Sequence, residues 1–406
     1  MKIISASYIL TCNDKFEILT NSAVCFDKTI LDIDKLENLS QKYPEAEVIE
    51  LPKNSVLMPG LINTHVHLEF SSNKSSLKYG NFMTWLNSVI AKRDDLLSTC
   101  NDEVIEKQLK IMQKSGTTTF GAISSFGNDF DACYKTPQRV VFFTEILGSQ
   151  PNSVDILFED FKSRLRVTED NENERLIPAI AIHSPYSTHP MLARNALDIA
   201  RKKGYVVSTH FMESQAEREW IDSGKGEFND FFNNFAPNSR PMSSANDYID
   251  LFYGTKTLFT HCVQANKKEL EEIKNIGGSV THCPVSNRLL GIGRLEIENI
   301  DKTMLNLGTD GLSSNISLNL WDEMRAALMM HFKGDLNKLA PLLIKMSTCN
   351  GAKALNLNCG EISKDKFADF IVCEVQDDLE NIEDIALELI LHTKFTKATY
   401  VAGEKI

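Results

Sequence analysis

The chain has 406 residues, enough for one large domain and a smaller one, and its 42% hydrophobic and 24% charged content is that of an ordinary folded globular protein. Its net charge, 43 − 55 = −12, opposes the phosphate backbone of nucleic acids, which rewards clustered Lys and Arg, so no nucleic-acid partner is expected. There is no signal-peptide pattern and no apolar run of about 18 residues, so no membrane span is expected and the cytoplasm is the expected location.

In chain order, residues 1–57 carry strand-like stretches around 2–11, 21–33 and 46–51. Eight apolar runs follow, at 56–67, 117–124, 139–148, 176–185, 205–214, 257–264, 278–287 and 304–311. Helix-like segments such as 101–115, 190–203 and 266–275 lie between them. Near-continuous apolar strands suit a parallel sheet covered on both faces, and eight such alternations predict an α/β fold built on a (β/α)8 TIM-like barrel. Strand-like stretches return at 367–373 and 397–403. The two chain ends are therefore expected to complete one small β-sandwich domain (1–57 with 356–406) beside a catalytic barrel (58–355). Residues 168–175 read as a solvated loop. The segment 222–250 carries Phe228, Phe231, Phe232 and Phe235, and reads either as a lid over the barrel mouth or as a helix packed on the barrel. The nine cysteines are odd in number and form no CxxC, so they read as reduced core residues.

The chemistry is carried by histidines. His65 and His67 are separated by one residue at the end of the first run, and in a strand alternate side chains share a face. Two imidazoles so placed can hold one divalent metal. His210 and His261 end later runs and Asp310 ends the last. Six of nine histidines (His65, His67, His183, His210, His261 and His282) fall near the C-terminal ends of predicted strands, the active face of such a barrel. A histidine on an apolar strand is ordinarily a satisfied core residue, but convergence of six on one rim points to a metal-dependent hydrolase. The HxE…PCxxC pattern of the other zinc deaminases is absent.

The stretches PGLINTHVH at 59–67 and LGTDGLSSN at 307–315 resemble the first- and eighth-strand signatures of the amidohydrolase superfamily. The resemblance spans essentially the whole chain and implies that His65, His67, His210 and Asp310 bind the metal. The fourth strand ends Ala181-Ile182-His183-Ser184-Pro185, without the bridging lysine of binuclear members, which implies one divalent ion per chain, Zn²⁺ or alternatively Fe²⁺. His210-Phe211-Met212-Glu213 is similar to the HxxE of the deaminase branch, which implies Glu213 as proton donor and acceptor. The same resemblance implies that His261 contacts the attacking water and that Asp310 accepts a proton. It also implies that His183 contacts the purine; His282 reads as structural at least as well.

Within the superfamily, the stretches 67–71, 79–86, 245–250, 283–290 and 309–317 resemble deaminases of 5′-substituted adenosines, most narrowly those acting on 6-amino-6-deoxyfutalosine. This implies a small nucleoside substrate, conversion to futalosine with release of ammonia for menaquinone synthesis, and a homodimer as a family-level expectation. The acidic residue that the S-adenosylhomocysteine group carries near 91–93 is missing, and a benzoate tail suits Trp85, Arg93 or Arg288 instead. Glu69 is a candidate acceptor for ribose hydroxyls. Deaminases of S-adenosylhomocysteine, methylthioadenosine or adenosine remain the alternative, followed by amino- or chlorohydrolases of heteroaromatic rings. A non-catalytic scaffold is disfavoured because every ligand and acid–base candidate is present.

Overall fold

The computed structural model describes residues 1–73, 75–234, 239–376 and 379–406. The N-terminal strands are β1 (Lys2–Leu10), β2 (Ile18–Phe26), β3 (Ile30–Asp34), β4 (Glu47–Glu50) and β5 (Ser55–Pro59). The stretch predicted at 21–33 thus divides into parts of two antiparallel strands, β2 and β3, joined through 27–29. The barrel strands are β6 (Leu61–Val66), β7 (Thr117–Ser124), β8 (Arg139–Ile146), β9 (Leu176–Ile182), β10 (Val207–Phe211), β11 (Thr257–His261), β12 (Ser279–His282) and β13 (Leu305–Leu307). The C-terminal strands are β14 (Phe370–Glu374), β15 (Ala398–Val401) and β16 (Glu404–Lys405).

Strands β6 to β13 pair in parallel and in sequence order, as eight short apolar runs each followed by helix require. Closure between β6 and β13 is made largely by side chains. Asp310 N–H donates to the His65 carbonyl (3.0 Å), Asn63 Nδ2 donates to Thr309 Oγ1 (2.7 Å), and Thr64 Oγ1 donates to Asn306 Oδ1 (2.6 Å). Intervening helices begin on side-chain caps, among them Asn101 before Asp102–Lys114 and the Asn266/Glu269 capping box before Lys267–Asn275. The expected loop at 168–175 begins inside the helix Val154–Asp170, because Thr168 continues the buried face of Val154, Phe161 and Leu165.

The chain ends form one sheet in the order β16-β15-β14-β5-β1-β2-β3, with β4 paired to β1. Phe26 on β2 and Phe370 on β14 are separated by two strands in that order, yet their ring centroids are 4.9 Å apart. The sheet therefore folds over on itself around Ile4, Val24, Phe26, Leu57, Phe370 and Tyr400. The single apolar run predicted at 56–67 divides between the two sheets at Gly60, where any Cβ would overlap the Thr118 side chain. A buried ion pair locks the terminal sheet to the foot of the barrel. Arg139, at the start of β8, donates to Asp369 (3.1 Å) with both side chains almost wholly buried, and its guanidinium lies 4.2 Å from the Phe367 ring centroid.

Candidate active site and metal centre

The side chains that end the barrel strands meet at one mouth. His65 lies in β6, His67 just beyond it, His210 in β10, His261 at the end of β11 and Asp310 three residues past β13. Ring nitrogens of His65, His67 and His210 all lie within 4.8 Å of one another. His67 Nε2 and His210 Nε2 are 3.4 Å apart, the separation of two nitrogens each about 2.1 Å from one tetrahedral ion, about 3.4 Å. Asp310 Oδ1 adds a carboxylate 3.7 Å from His67 Nε2 and 3.9 Å from His65 Nε2.

Supporting contacts leave the Nε2 atoms available. His210 Nδ1 is 2.8 Å from the His183 carbonyl, and an N–H donated there places the lone pair on Nε2. His65 Nδ1 lies 3.2 Å from Thr260 Oγ1, while its Nε2 is buried with no hydrogen-bond partner. Burial and neighbouring imidazoles hold His65 far below the usual histidine range and His210 down to about 3, so both stay neutral, the ligating form. An orphaned buried nitrogen and two others aimed at one point fit a divalent cation.

A second set of groups faces this cluster. His261 Nδ1 is 2.9 Å from Asn287 Oδ1, which directs Nε2 towards Glu213 Oε1 (3.4 Å) and Asp310 Oδ2 (3.9 Å). Burial first, then the charges of Asp310 and Glu217, push the Glu213 carboxyl well above the ordinary range. Burial acts against ionised Asp310, but His67, His261, His210 and a hydrogen bond from Ser286 hold its pKa below the usual value. Met212, His261, Cys262 and Asp310 all have φ between +46° and +71°, a left-handed conformation that non-glycine residues adopt at a cost of about 1–3 kcal/mol. The strand ends are bent so that these side chains turn inward.

The amidohydrolase family model matches residues 56–405, most of the chain. The chain belongs to the amidohydrolase family. It is 45% identical over 405 residues to the aminodeoxyfutalosine deaminase of a Nitratiruptor species, covering 100% of this chain and 99% of that protein. It is 37% identical over 412 residues to an adenosine deaminase of Helicobacter pylori, covering 100% and 99%. The crystal structure of Helicobacter pylori aminofutalosine deaminase in complex with methylthio-coformycin superposes with a TM-score of 0.94 at 36% identity, covering 100% of both chains.

The cleft of this amidohydrolase is lined by His67, His183, His210, Glu213, His261 and Asp310, and by Trp85 and Arg93. Trp85 is fixed by its Nε1–H donating to the Ser313 carbonyl (2.8 Å), and Arg93 is half exposed. Two expected substrate residues lie elsewhere. Arg288 is exposed and does not line the cleft. Glu69 is buried, and its oxygens accept the backbone N–H groups of Ser125 (2.7 Å), Phe126 (3.0 Å) and Asn128 (3.0 Å). Glu69 thus pins the loop that presents Ser125 and Phe126 to the cleft. His282 is buried, its Nε2 3.2 Å from His331 Nε2.

The motif at 283–290 carries supporting contacts as well. Ser286 Oγ donates to Asp310 Oδ2 (2.8 Å), as does Ser314 Oγ (2.8 Å), and Asn287 holds His261. Glu217, which no sequence motif singled out, is fully buried and accepts the N–H groups of Met212 (3.0 Å) and Glu213 (2.8 Å). In 222–250, Phe228 packs on Tyr186 (4.5 Å) and Phe82 (6.2 Å), and Phe232 on Trp220 (5.1 Å). Phe228, Phe231 and Phe232 back the cleft wall and do not line it; Phe235 lies outside the described residues.

Proposed function

We propose that this chain is a metal-dependent hydrolase that converts 6-amino-6-deoxyfutalosine to futalosine and ammonia, a step serving menaquinone synthesis. The observation that carries the reading is a single cleft holding the histidine cluster, Glu213, His261 and Asp310 together with Trp85 and Arg93. The first set suits hydrolysis at C6 of an aminopurine, and the second suits an aromatic carboxylate. Identity of 45% along the whole chain to an aminodeoxyfutalosine deaminase supports the same substrate.

His65, His67, His210 and Asp310 are the proposed ligands of one divalent ion, Zn²⁺ first and Fe²⁺ second. Such an ion, when bound, makes a water acidic enough to supply hydroxide near neutral pH. His261 Nε2 and Asp310 Oδ2 then hold the attacking water and take its proton. Protonated Glu213 donates to N1 of the purine as oxygen adds to C6, and a proton returned to the amino nitrogen lets ammonia leave. On this reading His183 contacts the nucleoside and Arg93 meets the tail carboxylate.

The 37% identity to an adenosine deaminase favours one second reading, a broader preference for 5′-substituted adenosines. Ammonia release from 6-amino-6-deoxyfutalosine, adenosine, methylthioadenosine and S-adenosylhomocysteine, with metal analysis on the same sample, tests both. The first reading requires the highest kcat/KM for the benzoate-bearing nucleoside; a higher value for any other replaces it. The barrel is the proposed catalytic unit and the terminal sheet its foot. Among the described residues no helix is long and apolar enough to cross a membrane, and the cytoplasm is the proposed site of action.

A further inference from the structure

One carboxylate in the cleft takes no part in the chemistry above. Glu145, the penultimate residue of β8, is 1% exposed and lines the cleft. Its Oε2 accepts a hydrogen bond from the Ser125 hydroxyl, and its Oε1 is buried with no hydrogen-bond partner. A buried oxygen without a donor is costly, so the missing donor is to be sought in what the cleft binds.

The surroundings narrow that donor. A carboxylate oxygen of Glu145 lies within 4.8 Å of a ring nitrogen of His183 and of one of His210, yet among the described residues no ion pair joins it to either ring. A shared metal would draw such atoms to about 3.4 Å. Two hydrogen bonds of about 2.8 Å meeting on one oxygen near the tetrahedral angle span about 4.6 Å, so the gap suits a bridging hydroxyl. His183 Nδ1 is engaged by Ser187 Oγ at 2.5 Å, and Ser187 is linked to Ser184 at 2.6 Å, so a hydroxyl donated to Nδ1 leaves Nε2–H to donate into the cleft.

An ionised carboxylate only accepts. The N1, N3 and N7 atoms of a 6-aminopurine nucleoside are acceptors as well. Its donors are the 6-amino group, which the reaction holds beside Glu213, and the sugar hydroxyls. Resting on the deaminase reading, we propose that Glu145, oriented by Ser125 and paired across the gap with His183, receives the sugar hydroxyls of the substrate and selects ribonucleosides over deoxynucleosides. The backbone N–H groups that occupy Glu69 also hold Ser125 in place beside Glu145.

The test is kcat/KM of the metal-loaded full chain on adenosine, 2′-deoxyadenosine, 3′-deoxyadenosine and 2′,3′-dideoxyadenosine, with metal content measured alongside. Wild type should prefer adenosine to the dideoxynucleoside by about 10–100-fold, the scale of a lost hydrogen bond to a charged group. Glu145→Ala should collapse that ratio to within about 3-fold at unchanged metal content. Glu145→Gln, which keeps the packing, should narrow it by about 5-fold because a neutral acceptor is weaker. The inference is overturned by a wild type indifferent to both hydroxyls, by equal loss on all four nucleosides in either variant, or by loss of metal in Glu145→Gln. Ammonia release from none of the four and none from 6-amino-6-deoxyfutalosine would remove the deaminase reading itself; release from the latter alone would overturn this inference, which requires turnover of adenosine. Release with a ratio indifferent to Glu145 removes this inference alone.

Discussion

Glu217→Gln separates positioning of the acid–base group from its chemistry. The Glu217 carboxylate accepts the N–H of Met212 and of Glu213 at 3.0 and 2.8 Å, and so holds a bend in which Met212 has φ of +46°. A glutamine keeps one acceptor oxygen and turns an amide N–H₂ towards the other donor. Losing one charge-assisted hydrogen bond costs about 1.5–3 kcal/mol. If that cost falls on the placement of Glu213, kcat drops about 10–100-fold while KM and metal content hold. A second readout follows from charge. Burial, Asp310 and Glu217 together raise the Glu213 pKa, and the proposed reaction needs Glu213 protonated. Activity therefore falls as pH rises through that pKa, and removing the Glu217 charge lowers it, which moves the alkaline limb to lower pH. Two carboxylates a few ångströms apart at an effective dielectric of 20–80 interact by about 1–3 kcal/mol, equivalent to about 0.7–2 pH units. Stopped-time ammonia assays across pH, with Glu213→Gln as the inactive reference, measure both effects. A Glu217→Gln enzyme with wild-type kcat and an unmoved alkaline limb would refute the reasoning.

Four further substitutions have expected outcomes. His210→Ala should strip most of the metal and reduce activity with it, and one bound equivalent per chain in wild type is the expected stoichiometry; full activity in strong chelator would oppose this. Arg93→Ala should raise KM for the benzoate-bearing nucleoside about 10–100-fold, or about 1.4–2.7 kcal/mol, while adenosine changes by less than about 3-fold. Arg288→Ala, altering an exposed side chain away from the cleft, should change neither. Asp369→Ala strands the buried Arg139 guanidinium and should cost about 3–5 kcal/mol in denaturant unfolding, with the metal site intact; a loss under about 1 kcal/mol would show that the pair is solvated.

The barrel was legible because burial on both faces leaves a simple mark, a short apolar run bounded by polar segments, repeated eight times. His65 and His67 were legible because strand periodicity of two puts them on one face whatever surrounds them. Periodicity says nothing about where one sheet stops and another begins. The run at 56–67 reads as one strand, and only the pairing of 55–59 with the terminal sheet and of 61–66 with the barrel divides it. Glu69 follows the HxH pair and invited a substrate role, yet its oxygens are filled by the loop 125–128, which is close in space and remote in sequence. Glu145 lay in plain view as a lone acid in an apolar strand, and its free oxygen appears only once Ser125 and His183 are placed around it. A strand's sequence sets which way each side chain points; which donor meets which acceptor is decided where eight separate strand ends and their loops converge.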